Sequence, residues 1–222
     1  VGLISTNGNP ASTGANTVLG FDFYHRIPEF VGDMDLQIAM DLVGSTGEAA
    51  DDDGESFGID LQARGQEWTV QTGSRWVSDD FSPALGFVSR RGVRQSEFEI
   101  GYRPRAAEGG LIRRYVIEVD ARRSEAWEGA PQEVRVQLDQ LGVEFQNGGR
   151  MSLSLSRRFD RVASDFNLFR DSTPVFAGDY YQTRSGIRYT SSEGRAVSGG
   201  VSVFHGDFFD GQSTSISSNL AW

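Results

Sequence analysis

Nine arginines are concentrated in the middle of the chain: Arg90, Arg91, Arg94, Arg103, Arg105, Arg113, Arg114, Arg122 and Arg123. A guanidinium group presents a planar fork of N–H donors, which binds a carboxylate or a phosphate through two parallel hydrogen bonds. This chemistry predicts a site for an anion. We assign that site to Arg90, Arg91, Arg103 and Arg114.

Carboxylates are interspersed with these arginines, at Glu97, Glu99, Glu118 and Asp120. If arginines and carboxylates pair with each other inside a sheet, much of the positive charge is neutralised and no anion site remains. Anion binding and internal pairing are therefore two open interpretations of the same residues.

Residues suited to catalysis or to metal binding are few. The chain has no cysteine and two histidines, His25 and His205, which leaves little material for a zinc site or a serine triad. A triad would have to use His205 with Asp207 or Asp210. The acidic run 51–55 offers oxygen ligands for calcium, but it lacks the alternating spacing of an EF-hand loop and reads as a solvated loop. We expect no catalytic residue, no metal site, no cofactor and no enzymatic activity.

Period-two alternation predicts that β-strands position these side chains. Between Met34 and Leu42, every even-numbered residue is apolar and every odd-numbered residue is polar or alanine. A helix would not separate the two classes in this way. Similar segments predict about twelve strands, at residues 1–6, 19–23, 34–42, 57–62, 68–76, 97–103, 114–120, 133–139, 151–156, 181–189, 197–203 and 215–222. At Gly142 the apolar positions change from even to odd numbers, which indicates a β-bulge.

The predicted connections alternate in length along the whole chain. Short turns are expected at residues 28–33, 64–67, 104–110, 147–150 and 192–195. Longer loops are expected at residues 7–15, 44–56, 77–94, 122–131, 160–178 and 205–211. This asymmetry is typical of an up-and-down membrane barrel, in which short periplasmic turns alternate with longer extracellular loops.

Aromatic residues recur at the two ends of single strands. Trp68 and Trp76 are eight residues apart on one face, and Tyr181 and Tyr189 repeat this interval. At about 3.4 Å per residue and about 40° of tilt, eight residues cover roughly 21 Å along a barrel axis. The two aromatic girdles of a membrane barrel are about 25 Å apart. We therefore predict that these four residues lie at the membrane interfaces.

Composition is consistent with a membrane barrel and excludes two other classes. The net charge of −10 lacks the basic excess that nucleic-acid binding requires. No run reaches the roughly 18 apolar residues of a membrane-spanning helix. The mean hydropathy of −0.38 does not argue against a barrel, because barrel strands carry only alternate apolar residues.

We therefore predict an all-β fold, an antiparallel up-and-down transmembrane β-barrel. Residues 1–222 would form one barrel domain, with about twelve strands, as an excerpt of a larger barrel from a longer chain. A soluble antiparallel β domain is the alternative, since its strands alternate in the same way.

The segment from Phe81 to Arg90, FSPALGFVSR, followed by Arg91 and Val93, resembles a signature of a domain-of-unknown-function family of outer-membrane β-barrel proteins. Phe176 to Tyr180, FAGDY, resembles a second patch of that family. Its members usually carry an N-terminal carbohydrate-binding-like domain, which is absent here, and their barrel is longer than this chain. The resemblance implies the bacterial outer membrane and supplies no catalytic residues.

The expected function is that of a passive pore or receptor for a small or oligomeric solute, saccharide or anionic. Lipid and lipopolysaccharide would be the other partners, with the loop arginines Arg90 and Arg91 on lipopolysaccharide phosphates. Loop aromatics would either stack on sugars or pack the loops into the barrel mouth: Phe81, Phe87, Trp127, Phe166, Phe169 and Phe176. Two alternative functions are a scaffold for a surface hydrolase and a non-conducting anchor.

Overall fold

A computed structural model describes residues 1–8, 15–47, 53–88, 90–168 and 173–222. All regular elements in these ranges are β-strands, so the predicted all-β class is confirmed. In the described part of the chain, no helix is long and apolar enough to cross a membrane.

Fourteen strands are present, and twelve of them form one antiparallel up-and-down sheet. The strands are β1 (Gly2–Asn7), β2 (Asn16–Val31), β3 (Met34–Gly47), β4 (Gly54–Arg64), β5 (Trp68–Val77), β6 (Val93–Tyr102), β7 (Ile112–Ala126), β8 (Pro131–Phe145), β9 (Arg150–Val162), β10 (Phe166–Leu168), β11 (Thr173–Val175), β12 (Gly178–Thr190), β13 (Ser198–Phe208) and β14 (Gly211–Ala221). The order in the sheet is β1 to β9 followed by β12, β13 and β14. The twelve predicted strands correspond to these twelve. The described sheet has β1 and β14 as its two end strands, so closure into a barrel stays a prediction.

The chain is divided into two compact units. Unit 1 comprises Val1–Gly65, Val70–Phe98 and Arg123–Pro131, and unit 2 comprises Gln66–Thr69, Glu99–Arg122 and Gln132–Trp222.

In unit 1, β2 pairs with β1 on one side and with β3 on the other. The β2–β3 register shifts between Ile27 and Val31, and Glu29 within this irregularity has a φ of 50°. The strands continue on both sides of the shift, so the predicted turn at 28–33 narrows to Gly32 and Asp33. Gly32 has a φ of 59°, a conformation that glycine adopts at little cost.

The connection after β5 folds back onto unit 1. Phe81 packs with Val77 and Val93 in a small buried cluster. Buried Asn16 holds the same connection, since its amide donates to the Ser82 carbonyl at 2.9 Å and its oxygen accepts the Ala84 N–H at 3.0 Å. Residues 81–84 of this connection are therefore anchored to the unit.

In unit 2, β9 pairs with β8 and β12, and β13 pairs with β12 and β14. The predicted bulge in β8 is present, but the register shifts between Leu138 and Leu141 rather than at Gly142. Leu141 already occupies an odd apolar position opposite Leu153. The short strands β10 and β11 were not predicted, and they form a hairpin of their own within the long connection after β9.

The predicted alternation of loop lengths is wrong in the second half of the chain. The expected short turn after β6 spans residues 103–111, whereas the expected long loops after β7 and β13 are reduced to 127–130 and 209–210. Strand pairing extends into those two predicted loops and converts them into tight hairpins.

Candidate functional site

Apolar side chains are exposed on one face of each unit. In unit 1 they include Leu19, Phe21 and Leu42. In unit 2 the exposed apolar residues of β9, β12 and β13 are Met151, Leu153, Leu155, Tyr181, Ile187, Tyr189 and Val201. Their fractional exposure lies between 39% for Met151 and 67% for Tyr181. The buried apolar side chains in the described residues are Val77, Phe81, Val93, Val116 and Val175. The described protein thus exposes many large apolar side chains and buries few of them.

Charged side chains on the opposite face form ion pairs within each unit. In unit 1, Arg75 binds both carboxylate oxygens of Asp41 at 2.7 and 3.1 Å. In unit 2, Arg158 binds Asp160 at 2.7 Å and Glu133 at 3.4 Å. Of the nine arginines between residues 90 and 123, Arg103 and Arg113 are paired in the same way, with Glu118 and Glu144, so internal pairing applies to part of that group. All 21 basic residues of the chain are arginines.

The four arginines of the predicted anion site are divided between the units. In unit 1, Arg90 and Arg91 are exposed in the connection after β5, where Arg91 donates to the Ser82 hydroxyl at 3.1 Å. In unit 2, Arg103 follows β6 and forms an ion pair with Glu118.

Arg114 is the fourth residue of that set and lies on β7, where it forms an isolated bridge with Arg105. Its Nε is buried without a hydrogen-bond partner among the described residues. Whether any of the four binds an anion stays a prediction.

The four predicted interface aromatics all contribute to the apolar face, and three of them contact a ring on another strand. Within unit 1, Trp76 stacks on Phe57 with ring centroids 5.2 Å apart. Within unit 2, Trp68 stacks on Tyr102 at 4.3 Å, and Tyr181 lies 5.1 Å from the ring of Phe159. Tyr189 is exposed opposite Met151. Contact with a membrane stays a prediction for all four.

The considered triad is not assembled in the structure. The Nδ1 atom of His205 is 2.9 Å from the Thr214 hydroxyl, while Asp207 accepts the Thr183 backbone N–H at 2.9 Å. The described residues contain no group of three or more His, Cys, Asp or Glu side chains suited to a metal ion. In the acidic run 51–55 considered for calcium, residues 51–52 lie outside the described residues and residues 53–55 are described. Hydrogen bonds from Thr46 and from the Gly47 N–H hold the pKa of Asp53 below its usual value.

The loop aromatics differ in their surroundings. Phe81 is 6% exposed and packs inward, whereas Phe87 is 91% exposed. Phe166 packs edge-on against Phe209 at 5.7 Å, and the Tyr180 hydroxyl donates to the Phe176 carbonyl at 2.8 Å. Phe169 lies outside the described residues. Packing is therefore observed for two of the six predicted residues, and sugar stacking stays a prediction.

A cavity of about 260 Å³ opens on the polar face of unit 2, and sequence reasoning did not single it out. Its lining includes Arg135, Arg158, Arg184, Gln182, Phe204 and Asp207. A second cavity of about 160 Å³ shares Gln137, Ser154 and Phe204 with the first and adds Arg188.

The side chain of Phe204 separates two arginines of β12. The Cζ atoms of Arg184 and Arg188 lie 5.9 and 5.7 Å from its ring centroid. Gly186 stands between them and pairs with Phe204 across the strands. A Cβ atom on Gly186 would lie 2.2 Å from a ring carbon, so the ring can lie there only because residue 186 has no side chain. The sequence carries one signal for this cluster, because Phe204 interrupts the polar positions of β13.

The comparisons with known proteins supply no relative on which to base an assignment. No family model, curated protein or solved structure matches this chain. The resemblance of residues 81–93 and 176–180 to an outer-membrane family therefore stays a prediction, and the function has to be argued from the geometry alone.

Proposed function

We propose that this chain forms the wall of a bacterial outer-membrane β-barrel, with its apolar face against lipid and its polar face lining a watery interior. One observation carries the proposal: exposed side chains on one face are apolar, while charged side chains on the other are paired. A soluble domain arranges its residues the other way, with large apolar side chains buried and charges in solvent. A membrane barrel requires the arrangement seen here.

The strand lengths support the same proposal. Transmembrane strands need about 9–11 residues. The strands of the large sheet after β1 have 10 to 16 residues, the shortest being β5 and β6 and the longest β2. Each of them is long enough to cross the hydrocarbon region of a membrane.

The role proposed for the barrel is passive passage or capture of a small or oligomeric solute that carries negative charge or sugar hydroxyls. Arginines on the polar face would select the solute through their guanidinium forks. Arg90 and Arg91, exposed in their connection, would contact lipopolysaccharide phosphates outside the membrane.

A non-conducting anchor is a second candidate, and the ion pairs on the polar face favour it. Arg75 with Asp41 and Arg103 with Glu118 occupy space that a pore would leave to water. The two candidates share the membrane location and differ in whether solutes pass.

The test begins with the protein extracted from outer membranes in detergent. We expect a folded species that shifts in gel electrophoresis on heating, and steady single-channel conductance in a planar bilayer. The anion preference should fall in Arg103→Ala and Arg114→Ala and stay unchanged in Arg195→Ala, which removes an exposed charge in the turn after β12.

Two results would contradict parts of this proposal. A folded, heat-modifiable protein without conductance would overturn the pore and support the anchor. Recovery of the protein in the aqueous fraction, with no partition into membranes, would overturn the membrane barrel itself.

A further inference from the structure

Arg184 is a cationic side chain without a carboxylate partner in the described residues. It lies on the polar face of β12, and its cross-strand neighbours are Ser156 on β9 and Gly206 on β13. Neither neighbour carries a charge, so the strand pairing itself leaves the guanidinium unneutralised. Its Cζ atom lies 5.9 Å from the ring centroid of Phe204, and its Nε is buried without an acceptor among the described residues.

The carboxylates around Arg184 are already bound to other groups. Asp120 pairs with Arg135 at 3.4 Å, and Asp160 pairs with Arg158. Asp207 lines the same cavity and accepts the Thr183 N–H, and it forms no ion pair with Arg184. An anion that enters the cavity therefore meets a guanidinium that no carboxylate of the described residues contacts.

Two further arginines line this side of the cavity, and carboxylates pair with both of them: Asp120 pairs with Arg135, and Asp160 and Glu133 pair with Arg158. Arg135 and Arg158 are directly opposite each other in the β8–β9 ladder, where like charges destabilise a sheet. The Nε of Arg135 is also buried without an acceptor. Of the three arginines that line the cavity, Arg184 is thus the one that no carboxylate contacts in the described residues.

The uncharged part of the lining indicates what kind of anion fits. Gln137, Gln182, Ser154 and Ser156 supply hydrogen-bonding groups that suit hydroxyls, and Phe204 supplies an apolar ring. Gln182 donates to Asp160 and accepts the Phe209 N–H, and Gln137 donates to Asp139, so each amide keeps at least one N–H and one oxygen lone pair for a ligand. Pockets for drug-sized ligands begin at about 300 Å³. At about 260 Å³ the cavity suits a smaller molecule.

We propose that this cavity binds a small hydroxylated carboxylate, such as a hexuronic acid, with the carboxylate on Arg184 and the sugar hydroxyls on the glutamines and serines. This inference deepens the proposed function and rests on it for the access of solute to the polar face. The inference places solute selection at Arg184, whereas the sequence analysis placed the anion site at Arg90, Arg91, Arg103 and Arg114.

The test is isothermal titration calorimetry of the detergent-solubilised protein with galacturonate and with galactose. We expect galacturonate to bind and galactose, which has the same ring without the carboxylate, to bind at least ~10-fold more weakly, since loss of a charge-assisted fork is worth about one decade or more. Arg184→Gln should weaken galacturonate binding by a similar factor. Arg195→Gln, which removes an exposed arginine of the same unit, should leave binding unchanged.

The outcomes separate this site from the proposed pore. Each variant is first checked for the heat-dependent gel shift, so that misfolding is not read as lost binding. Equal galacturonate affinity in the parent protein and in Arg184→Gln would overturn the site, as would a folded, conducting protein that does not bind galacturonate. Binding by a folded protein that does not conduct would support the site and overturn the pore. Sulfate competing as well as galacturonate would overturn the hydroxylated carboxylate as the ligand class.

Discussion

Single side chains hold the long connection of unit 1, and Asn16 is the clearest case. It is 2% exposed, and its amide satisfies two backbone groups of the connection, the Ser82 carbonyl and the Ala84 N–H. We expect Asn16→Ala to lower the free energy of unfolding by about 2–3 kcal/mol, because it leaves buried polar groups without partners. Asn7→Ala is the matched control, since Asn7 makes one exposed hydrogen bond to Thr17, and its effect should stay within about 0.5 kcal/mol. Urea titration in detergent measures both, and equal losses in the two variants would contradict this account.

The arginines illustrate how far the sequence reaches at the residue scale. Their types and positions predicted either anion binding or pairing with carboxylates. Pairing is observed for some of them, and anion binding stays a prediction. Which arginine is paired depends on strand register: Arg103 reaches Glu118, fifteen positions away, whereas Arg184 stands between Ser156 and Gly206. Register is set by pairing along whole strands, so composition could not identify Arg184 as a residue without a carboxylate partner.

At the scale of elements, the connection after β5 depends on the absence of a side chain on the first residue of β4. A Cβ atom on Gly54 would lie 2.2 Å from the backbone nitrogen of Phe81. We expect Gly54→Ala to displace the connection, because the clash involves backbone that cannot rotate away. Limited proteolysis should then cut within residues 78–88 faster than in the parent protein. Gly44→Ala is the control, since the nearest atom to its Cβ is 3.9 Å away, and it should leave the cleavage rate unchanged. Unchanged cleavage in Gly54→Ala would show that the connection is held by other contacts.

Alternation predicted where strands are, and pairing decided where they end. The apolar positions from Met34 to Leu42 identified β3, but the strand continues to Gly47 through Gly44 and Ser45, which carry no alternation. Those residues are strand because they pair with β2 and β4. Pairing also decides where the bulge in β8 lies, because the register with β9 shifts between Leu138 and Leu141, before Gly142. The prediction of alternating loop lengths was wrong because strand pairing extends into polar segments that had been predicted as loops.

At the scale of the whole molecule, the sequence left two interpretations open, a membrane barrel and a soluble sheet, and the distribution of apolar side chains shows where they can be tested. Alternation is the same whether an apolar face meets a protein core or lipid. The structure adds that Leu19, Leu42 and Leu155 are each at least 50% exposed within a fold whose buried apolar side chains are few. A substitution on this face can therefore distinguish water from lipid.

Leu155 provides that substitution, because it lies midway between the two positions of β9 that pair with tyrosines of β12. Met151 is paired with Tyr189 and Phe159 with Tyr181, four residues to either side of it. If the face contacts lipid, Leu155→Arg places a charge near the bilayer midplane and should lower the free energy of unfolding from liposomes by about 2–4 kcal/mol. Met151→Arg, at the level of the aromatic ring of Tyr189, should cost only about 0–1 kcal/mol because the charge reaches the interface. In water, exposed substitutions change stability by about 0.5 kcal/mol or less at either position, so similar small effects would indicate a soluble sheet. Lipid makes the cost of a charged substitution depend on its depth in the bilayer, and water does not. The comparison is valid whether or not the protein conducts.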